Sequence, residues 1–536
     1  MRATLLFYNG PVLTGNGDAN ALAVANSTIL AVGQADDLLD LAGPQTKVVD
    51  LGGRALLPGF NDAHIHLWKV AMLLRQVDVR PAAAPSIEAI VQAYATRAAG
   101  TPPGAWIEGR GFQESLLAER RSPTRYDLDR AAPDHPAFVT RTCGHIIVAN
   151  SRALAAAGIT RETPDPPGGE IDRDEHGEPT GILRERAMTL IRQVAPPPPQ
   201  PLLQGALVEA AEQQLRLGIT SVCDPGVDEY VLDAYLALER ARALPIRVDL
   251  MALRFTPDGR RAELPTPFAR DRLKLDTVKF FADGGLSGAT AALSLPYRNQ
   301  PAGSYGILYH EPEAFAEEVW RVHEAGLRVA THAIGDRTIE MVLDAYEAAS
   351  STEPGPPVKP LSPAGDRRHR IEHFGLPTTA HIVRAARLGV VVVPQPVFIH
   401  SLGRSFLTSL PETMLPQLYP LRALLDAGCT VALSSDAPVV PDNNPLLGLR
   451  AAADRTSADG VPISPQQAVS VTEALPLFSR GGALAEGQAD RKGSLTPGQL
   501  ADLCILSADP RAVPIEQLAE LRVEITVLGG RIVYAA

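Results

Sequence analysis

Short apolar runs with polar punctuation recur along the whole chain. Leu5-Leu6-Phe7-Tyr8 stops at Asn9-Gly10, the run 21–25 stops at Asn26-Ser27, and 28–32 stops at Gly33. Short strands closed by such turns predict a small β unit, and a sheet of that size needs a partner. The C-terminus offers one. Residues 501–506 and 523–528 read as strands, and Gly529-Gly530-Arg531 turns into Ile532-Val533-Tyr534. The two ends are therefore expected to meet in one β-sandwich.

The middle of the chain has a different rhythm. It opens with the run 55–57, a Pro58-Gly59 break, and a second run ending in His64-Ile65-His66. Seven more Val/Ile/Leu-rich runs follow, at 219–224, 246–253, 277–284, 327–334, 368–374, 389–396 and 430–438. Strands buried on both faces read this way. Helical stretches at 202–217, 312–325 and 337–349 stop at Gly218, Gly326 and Ser350. Eight strands alternating with helices predict an α/β protein built on a (β/α)8 TIM barrel. Roughly 150 residues separate the first two strands, far more than one crossover needs. Segment 68–200 has elements of its own, at 86–98, 136–142 and 150–157, and ends in the stiff proline-rich run 195–201. It reads as an inserted subdomain rising from the active face. The expected division is 1–57 for the N-terminal part of the sandwich and 58–67 for the first barrel strand. The insertion takes 68–200, the rest of the barrel 201–487, and the C-terminal part of the sandwich 488–536. A second proline-rich stretch, 351–366, is expected as an exposed loop on the opposite rim.

Composition narrows the function classes. The 536 residues are 45% hydrophobic and 21% charged, with a formal net charge of −11. That balance argues against nucleic acid or an anionic membrane surface as partner. There is no apolar run of membrane-spanning length, and the first residues lack the apolar segment and cleavage site of a signal peptide. Cys143, Cys223, Cys429 and Cys504 are scattered without a CxxC, as expected for reduced core thiols in a cytoplasmic protein. No GxGxxG follows the first strand, which removes a dinucleotide-binding reading.

Barrel active sites lie at the C-terminal ends of the strands, so the polar residues there carry the functional argument. On an extended strand His64 and His66 share one face, which is half of a metal site. Such a pair can equally line a polar core. Lys279 sits inside the apolar run of the fourth strand. His332 ends the fifth, His373 the sixth and Asp436 the eighth. Each has an ordinary alternative: a satisfied rim histidine, a lysine whose stem packs in the wall, or an aspartate capping a turn. Six of them at the right strand ends are better explained by one metal site.

LLPGFNDAHIHL, VKFFADGG, THAIGD, RIEHF, SSDAPV and the tail KGSLTPGQLADL resemble the signature blocks of the amidohydrolase superfamily. More closely they resemble its YtcJ-like branch (amidohydrolase family 3), which includes N-substituted formamide deformylase. The insertion is similar to that branch's own at Gly109-Arg110-Gly111-Phe112, Cys143-Gly144-His145, Asn150-Ser151 and Pro179-Thr180-Gly181-Ile182. The resemblance spans essentially the whole chain. It implies that His64, His66 and Asp436 hold one divalent metal, and that His332 and His373 hold a second. Lys279, carboxylated by carbon dioxide, would bridge the two. A single metal beside an unmodified Lys279 is the alternative. The mixed N/O ligand set suits zinc best, with manganese, iron or cobalt able to occupy it. The implied reaction is hydrolysis of an amide or N-substituted formamide C–N bond by a metal-activated hydroxide. Asp436 would act as general base and then acid, and His145 would help polarise the carbonyl. Trp106, Arg110 and Phe112 of the insertion, and Gln395 at the seventh strand end, are candidate substrate contacts. His310, His323, His369, His381 and His400 read as structural or surface residues, and His176 as part of a solvated loop. The same metal site could serve an ester, lactone, cyclic amide or deaminable ring, and a catalytically dead scaffold is the non-enzymatic alternative. A small-molecule substrate is expected, and the superfamily suggests a homodimer.

Overall fold

A computed structural model describes residues 1–536 apart from 15–18, 143, 145, 167, 257–258, 301–302, 352–367 and 441. It forms two compact units, Met1–Val70 with Leu207–Ala536, and Ala71–Ala206. Nearly all of the second proline-rich stretch lies outside the described residues, as do Cys143 and His145.

The first unit holds a TIM-like sheet of eight parallel strands. They are Phe60–Asp62, Ile219–Val227, Arg247–Leu253, Leu273–Phe281, Arg328–Ala333, Arg370–His373, Val391–Val393 and Thr430–Val431, paired in chain order. Helices Glu229–Arg240, Pro312–Glu324, Asp336–Ser351 and Thr379–Leu388 fall between consecutive strands in sequence. Beyond the ladders, the first and eighth strands exchange further backbone bonds. Ala63 N–H donates to Leu433 (3.4 Å), Asp436 N–H to His64 (2.8 Å) and His66 N–H to Ala437 (2.9 Å). These bonds carry His64, His66 and Asp436 to the same rim.

Two boundaries differ from expectation for physical reasons. The fourth strand begins at Leu273 rather than 277, because Lys274 and Asp276 are buried there as an ion pair (2.6 Å), with Asp249 3.3 Å from the same ammonium. Charged residues hid that half of the strand. The first and eighth ladders stop early, at Asp62 and Val431. His64 and His66 therefore lie just past the first strand rather than on it. Asp436 is in the left-handed region (φ 55°), where no strand continues.

Both chain ends join in one eight-stranded sheet: Leu5–Val12, Ala19–Ala25, Thr28–Gly33, Lys47–Asp50, Ala55–Pro58, Leu503–Leu506, Val523–Leu528 and Arg531–Ala535. It is mostly antiparallel but branches, since Leu5–Val12 runs parallel to both Lys47–Asp50 and Ala55–Pro58. Its core includes Phe7, Leu22, Val24, Leu56, Leu503 and Ile505. Arg247 of the third barrel strand fastens the two sheets by a two-pronged pair with Asp502 (2.7 and 3.1 Å).

Pro58-Gly59 is the crossing point between the sheets. A Cβ on Gly59 would lie 2.3 Å from Thr220 Oγ1 and 2.4 Å from its Cγ2. Gly59→Ala is therefore expected to cost about 1–3 kcal/mol by overpacking, read as a lower denaturant midpoint with an unchanged slope. An unchanged midpoint would contradict this close approach.

The second unit is built on a six-stranded sheet in the order Gly169–Arg173, Pro179–Glu185, Ile146–Ala149, Ala137–Arg141, Ile107–Phe112, Val77–Asp78. Helix Ile87–Ala99 starts where the Ser86 side chain accepts from Ala89 N–H, and Thr124 with Asp127 forms a capping box for Arg125–Ala131. Two apolar clusters, one around Tyr94 and Phe112 and one around Phe138 and Leu183, form its core. Cys223, Cys429 and Cys504 are buried free thiols. Among the described residues no helix is long and apolar enough to cross a membrane.

Candidate metal centre

Four imidazoles, one carboxylate and one amine meet at the end of the barrel sheet. Nε2 of His64 and Nε2 of His66 each lie 3.5 Å from Asp436 Oδ1. Single donor atoms of His64, His373 and Asp436 all fall within 4.8 Å of one another. The His373 ring centroid is 5.1 Å from that of His64 and 4.4 Å from that of His332. Lys279 is wholly buried in the fourth strand. His373 (φ 72°) and Asp436 (φ 55°) both occupy the left-handed region, which costs a non-glycine residue of order 1–3 kcal/mol. The fold bears that strain at two residues that face the centre.

Neighbouring groups set the tautomer of every imidazole. His64 Nδ1–H donates to the Glu372 carboxylate. His66 Nδ1–H donates to the Pro225 carbonyl (3.0 Å), His373 Nδ1–H to Gln395 Oε1 (2.7 Å), and His332 Nε2–H to the Gly284 carbonyl (3.1 Å). The other nitrogen of each ring keeps its lone pair, the arrangement a ligating histidine needs. Glu372 is itself held by Arg370 (2.7 and 3.0 Å), whose guanidinium also donates to the Ala63 carbonyl (2.6 Å). Asp283 accepts from the backbone of Ala292, Ile334 and Gly335 and from Thr338, and lies 3.4 Å from His332. Asp62 accepts from Ser435 and from His64 N–H, locking the two strand ends together. Two atoms in this dense network have no partner: Lys279 Nζ and Asp436 Oδ1. Buried polar atoms left unpaired are costly. Asp436 Oδ1, 3.5 Å from Nε2 of both His64 and His66, fits a bound cation, while Lys279 Nζ lies 4.9 Å from the centre of the Phe281 ring.

Burial sets the charge state. It holds His64, His66 and His373 well below the ordinary imidazole range, and nearby cations add to it. All three are therefore neutral and ready to ligate. Burial raises Asp436 to about 7, against the opposing pull of Lys279. It lowers Lys279 to about 8, against Glu372 and Asp436. Asp436 must be ionised to ligate, so protons compete with metal as pH falls through about 7. Zinc affinity of the stripped protein should drop about tenfold per pH unit below that point. Competition with a chromophoric chelator from pH 6 to 8 reads this directly, and a flat profile would contradict it.

The other predicted residues are placed differently. Gln395 is fully buried, and its amide is spent on His373, Val393 and Ser434. Its amide oxygen fixes the orientation of the His373 ring. Phe112 is a wholly buried core residue of the second unit, because an irregularity in the strand pairing between Arg110 and Phe112 breaks the alternation that would otherwise set it with half-buried Glu108 and Arg110. Trp106 packs edge-on against Phe138, and Arg110 is partly buried on the same strand as Phe112. His145 lies outside the described residues. His176 is exposed beside Glu175, His381 helps cap its own helix, and His310 bonds the Phe281 carbonyl. Sequence reasoning missed Glu372, Arg370, Asp283 and Asp62. One available signal was Arg370 and Glu372 at alternate positions of a strand buried on both faces.

The sequence profile of the Amidohydrolase family matches residues 47–534. YtcJ of Bacillus subtilis (strain 168) is 33% identical over 523 residues, covering 96% of each chain. The N-substituted formamide deformylase of Arthrobacter pascens is 30% identical, covering 99% of this chain and 98% of its own. An uncharacterised metal-dependent hydrolase from Pyrococcus horikoshii OT3 superposes with a TM-score of 0.78 at 28% identity, over 96% of this chain and 99% of that one. The chain belongs to the amidohydrolase family, in the branch that holds YtcJ and the formamide deformylase.

Proposed function

We propose that this protein is a metal-dependent hydrolase that cleaves the C–N bond of an amide or N-substituted formamide. The observation that carries the reading is the pair of unpartnered buried atoms, Lys279 Nζ and Asp436 Oδ1, among imidazoles whose lone pairs are freed by their neighbours. In this reading the parallel strands are a (β/α)8 barrel and the terminal strands a sandwich closed on its own apolar face. His64, His66 and Asp436 would hold one zinc ion, and His332 and His373 a second. Lys279 would bridge them as its carbamate. An amine whose proton is lost near pH 8 is nucleophilic enough to take up carbon dioxide. The metal, when bound, supplies Lewis acidity and brings water towards neutral pKa.

The protein's own groups do the rest. Asp436 would accept a proton from the attacking water and return it to the leaving nitrogen. Gln395 and Glu372 keep His373 and His64 in the required tautomers, and Asp283 steadies His332. The name of the Arthrobacter relative supports a formamide as the first substrate to try. Zinc analysis, with a hydrolysis screen of N-substituted formamides, acetamides and N-acyl amino acids, tests the reading. Metal uptake with amine release supports it. A well-folded protein that takes up no metal and cleaves none of these would overturn it.

A further inference from the structure

A cavity of about 150 Å³ opens beside the Pro58-Gly59 crossing, wholly within the first unit. Leu57, Phe60 and Leu495 line it as buried residues, and Leu13 and Leu475 as half-buried ones. Leu57 belongs to the terminal sheet and Phe60 to the first barrel strand, so the cavity lies where the two sheets meet. An apolar cavity of about this size accepts a molecule such as benzene. Two polar groups interrupt the lining. Ser479 is only 5% exposed, yet its hydroxyl does not cap the helix Arg480–Ala485 that follows it, and it has no hydrogen-bond partner among the described residues. A buried serine hydroxyl is ordinarily bonded. Arg480, next to it, makes no ion pair among the described residues, and its guanidinium donates only to the Ala489 carbonyl, at 3.5 Å. Close packing fixes this pair in place. A Cβ on Gly493 (φ 93°), which also lines the cavity, would lie 3.0 Å from both the Ser479 carbonyl oxygen and Arg480 Cα.

The polar end of the cavity selects the ligand's head group. Arg511 at its edge is paired with Asp509 (2.7 Å), which leaves Arg480 as the guanidinium without a carboxylate. No acidic side chain is among the described lining residues. We propose that this cavity is a second ligand site, sharing no residue with the metal centre, for a small monocarboxylate with a compact apolar body. The body, of about six carbons by volume, would lie between Leu57, Phe60 and Leu475. The carboxylate would accept from the Ser479 hydroxyl and from the Arg480 guanidinium in charge-assisted hydrogen bonds. The site does not depend on the hydrolase reading.

The test uses benzoate, benzyl alcohol and acetate, which carry ring and charge, ring alone, and charge alone. Binding to the zinc-supplemented protein is measured by calorimetry for wild type, Arg480→Gln, Ser479→Ala and Leu475→Trp, with the melting temperature of each checked. Wild type should bind benzoate with a Kd below about 1 mM, about tenfold or more tightly than either other probe. Arg480→Gln changes an exposed side chain and leaves the fold intact. It should weaken benzoate about tenfold and leave benzyl alcohol within about twofold. Ser479→Ala should weaken benzoate by a smaller factor, about threefold. Leu475→Trp, which fills the cavity from its half-buried wall, should abolish binding of both ring probes. Absence of benzoate binding at about 10 mM overturns the proposal. So does benzoate affinity that is unchanged in both Arg480→Gln and Leu475→Trp, which would place the anion elsewhere, the metal included. Benzyl alcohol bound as tightly as benzoate would overturn the carboxylate assignment.

Discussion

Replacing Asp436 with Asn is expected to lower kcat by about 10³-fold at saturating zinc, within the range for losing a general base and acid. The substitution keeps shape and one ligating oxygen, so the position beside His64 and His66, each 3.5 Å from Oδ1, stays filled. What disappears is a group that can take a proton near pH 7. Stability should move the other way. In the metal-free fold Asp436 is raised to about 7, above its unfolded value. The folded state therefore binds more protons than the unfolded state between about pH 4 and 7, and this group's contribution falls as pH rises through that window. Asn carries no such penalty, so the stripped variant should melt no lower than the stripped wild type at pH 7.5. Turnover within tenfold of wild type at full zinc occupancy would remove Asp436 from its proposed role.

How far the sequence disclosed this site follows from what each residue contacts. His332, His373 and Asp436 were legible because each is a polar residue ending a Val/Ile/Leu run, which marks the barrel rim with no knowledge of partners. Alternation along an extended strand predicts a shared face for His64 and His66, but the strand stops at Asp62. Their convergence comes instead from backbone bonds to Leu433 and Ala437 and from the anchoring of His64 N–H by Asp62. The supporting residues were hidden for a related reason. Glu372 meets His64 across 308 positions of sequence, and no periodicity encodes such a contact. Gln395 was noticed at a strand end, but which neighbour its amide serves is decided by rotamer and packing. The terminal strands were readable as strands and as partners. The branching of their sheet at Leu5–Val12 was not, because one strand serves two parallel neighbours in succession.

Glu372 is where stability and metal binding can be separated. It is fully buried between His64 Nδ1 and the Arg370 guanidinium. Glu372→Ala leaves Arg370 as a buried charge without its counter-ion, a change that typically costs about 3–5 kcal/mol. The same substitution frees the His64 ring, and losing such a support usually weakens metal binding by about 10–100-fold. These two effects have different causes, so a second variant can divide them. Arg370→Met combined with Glu372→Ala removes both charges. It should recover most of the lost stability, since replacing a buried pair by apolar groups is often near neutral. It should recover little of the zinc affinity, because His64 still lacks its acceptor. Denaturant titration and chelator competition on the wild type, both single variants and the double variant complete the cycle. Recovery of zinc affinity in the double variant would mean that Glu372 acts through its charge alone and that the His64 tautomer is set by some other group.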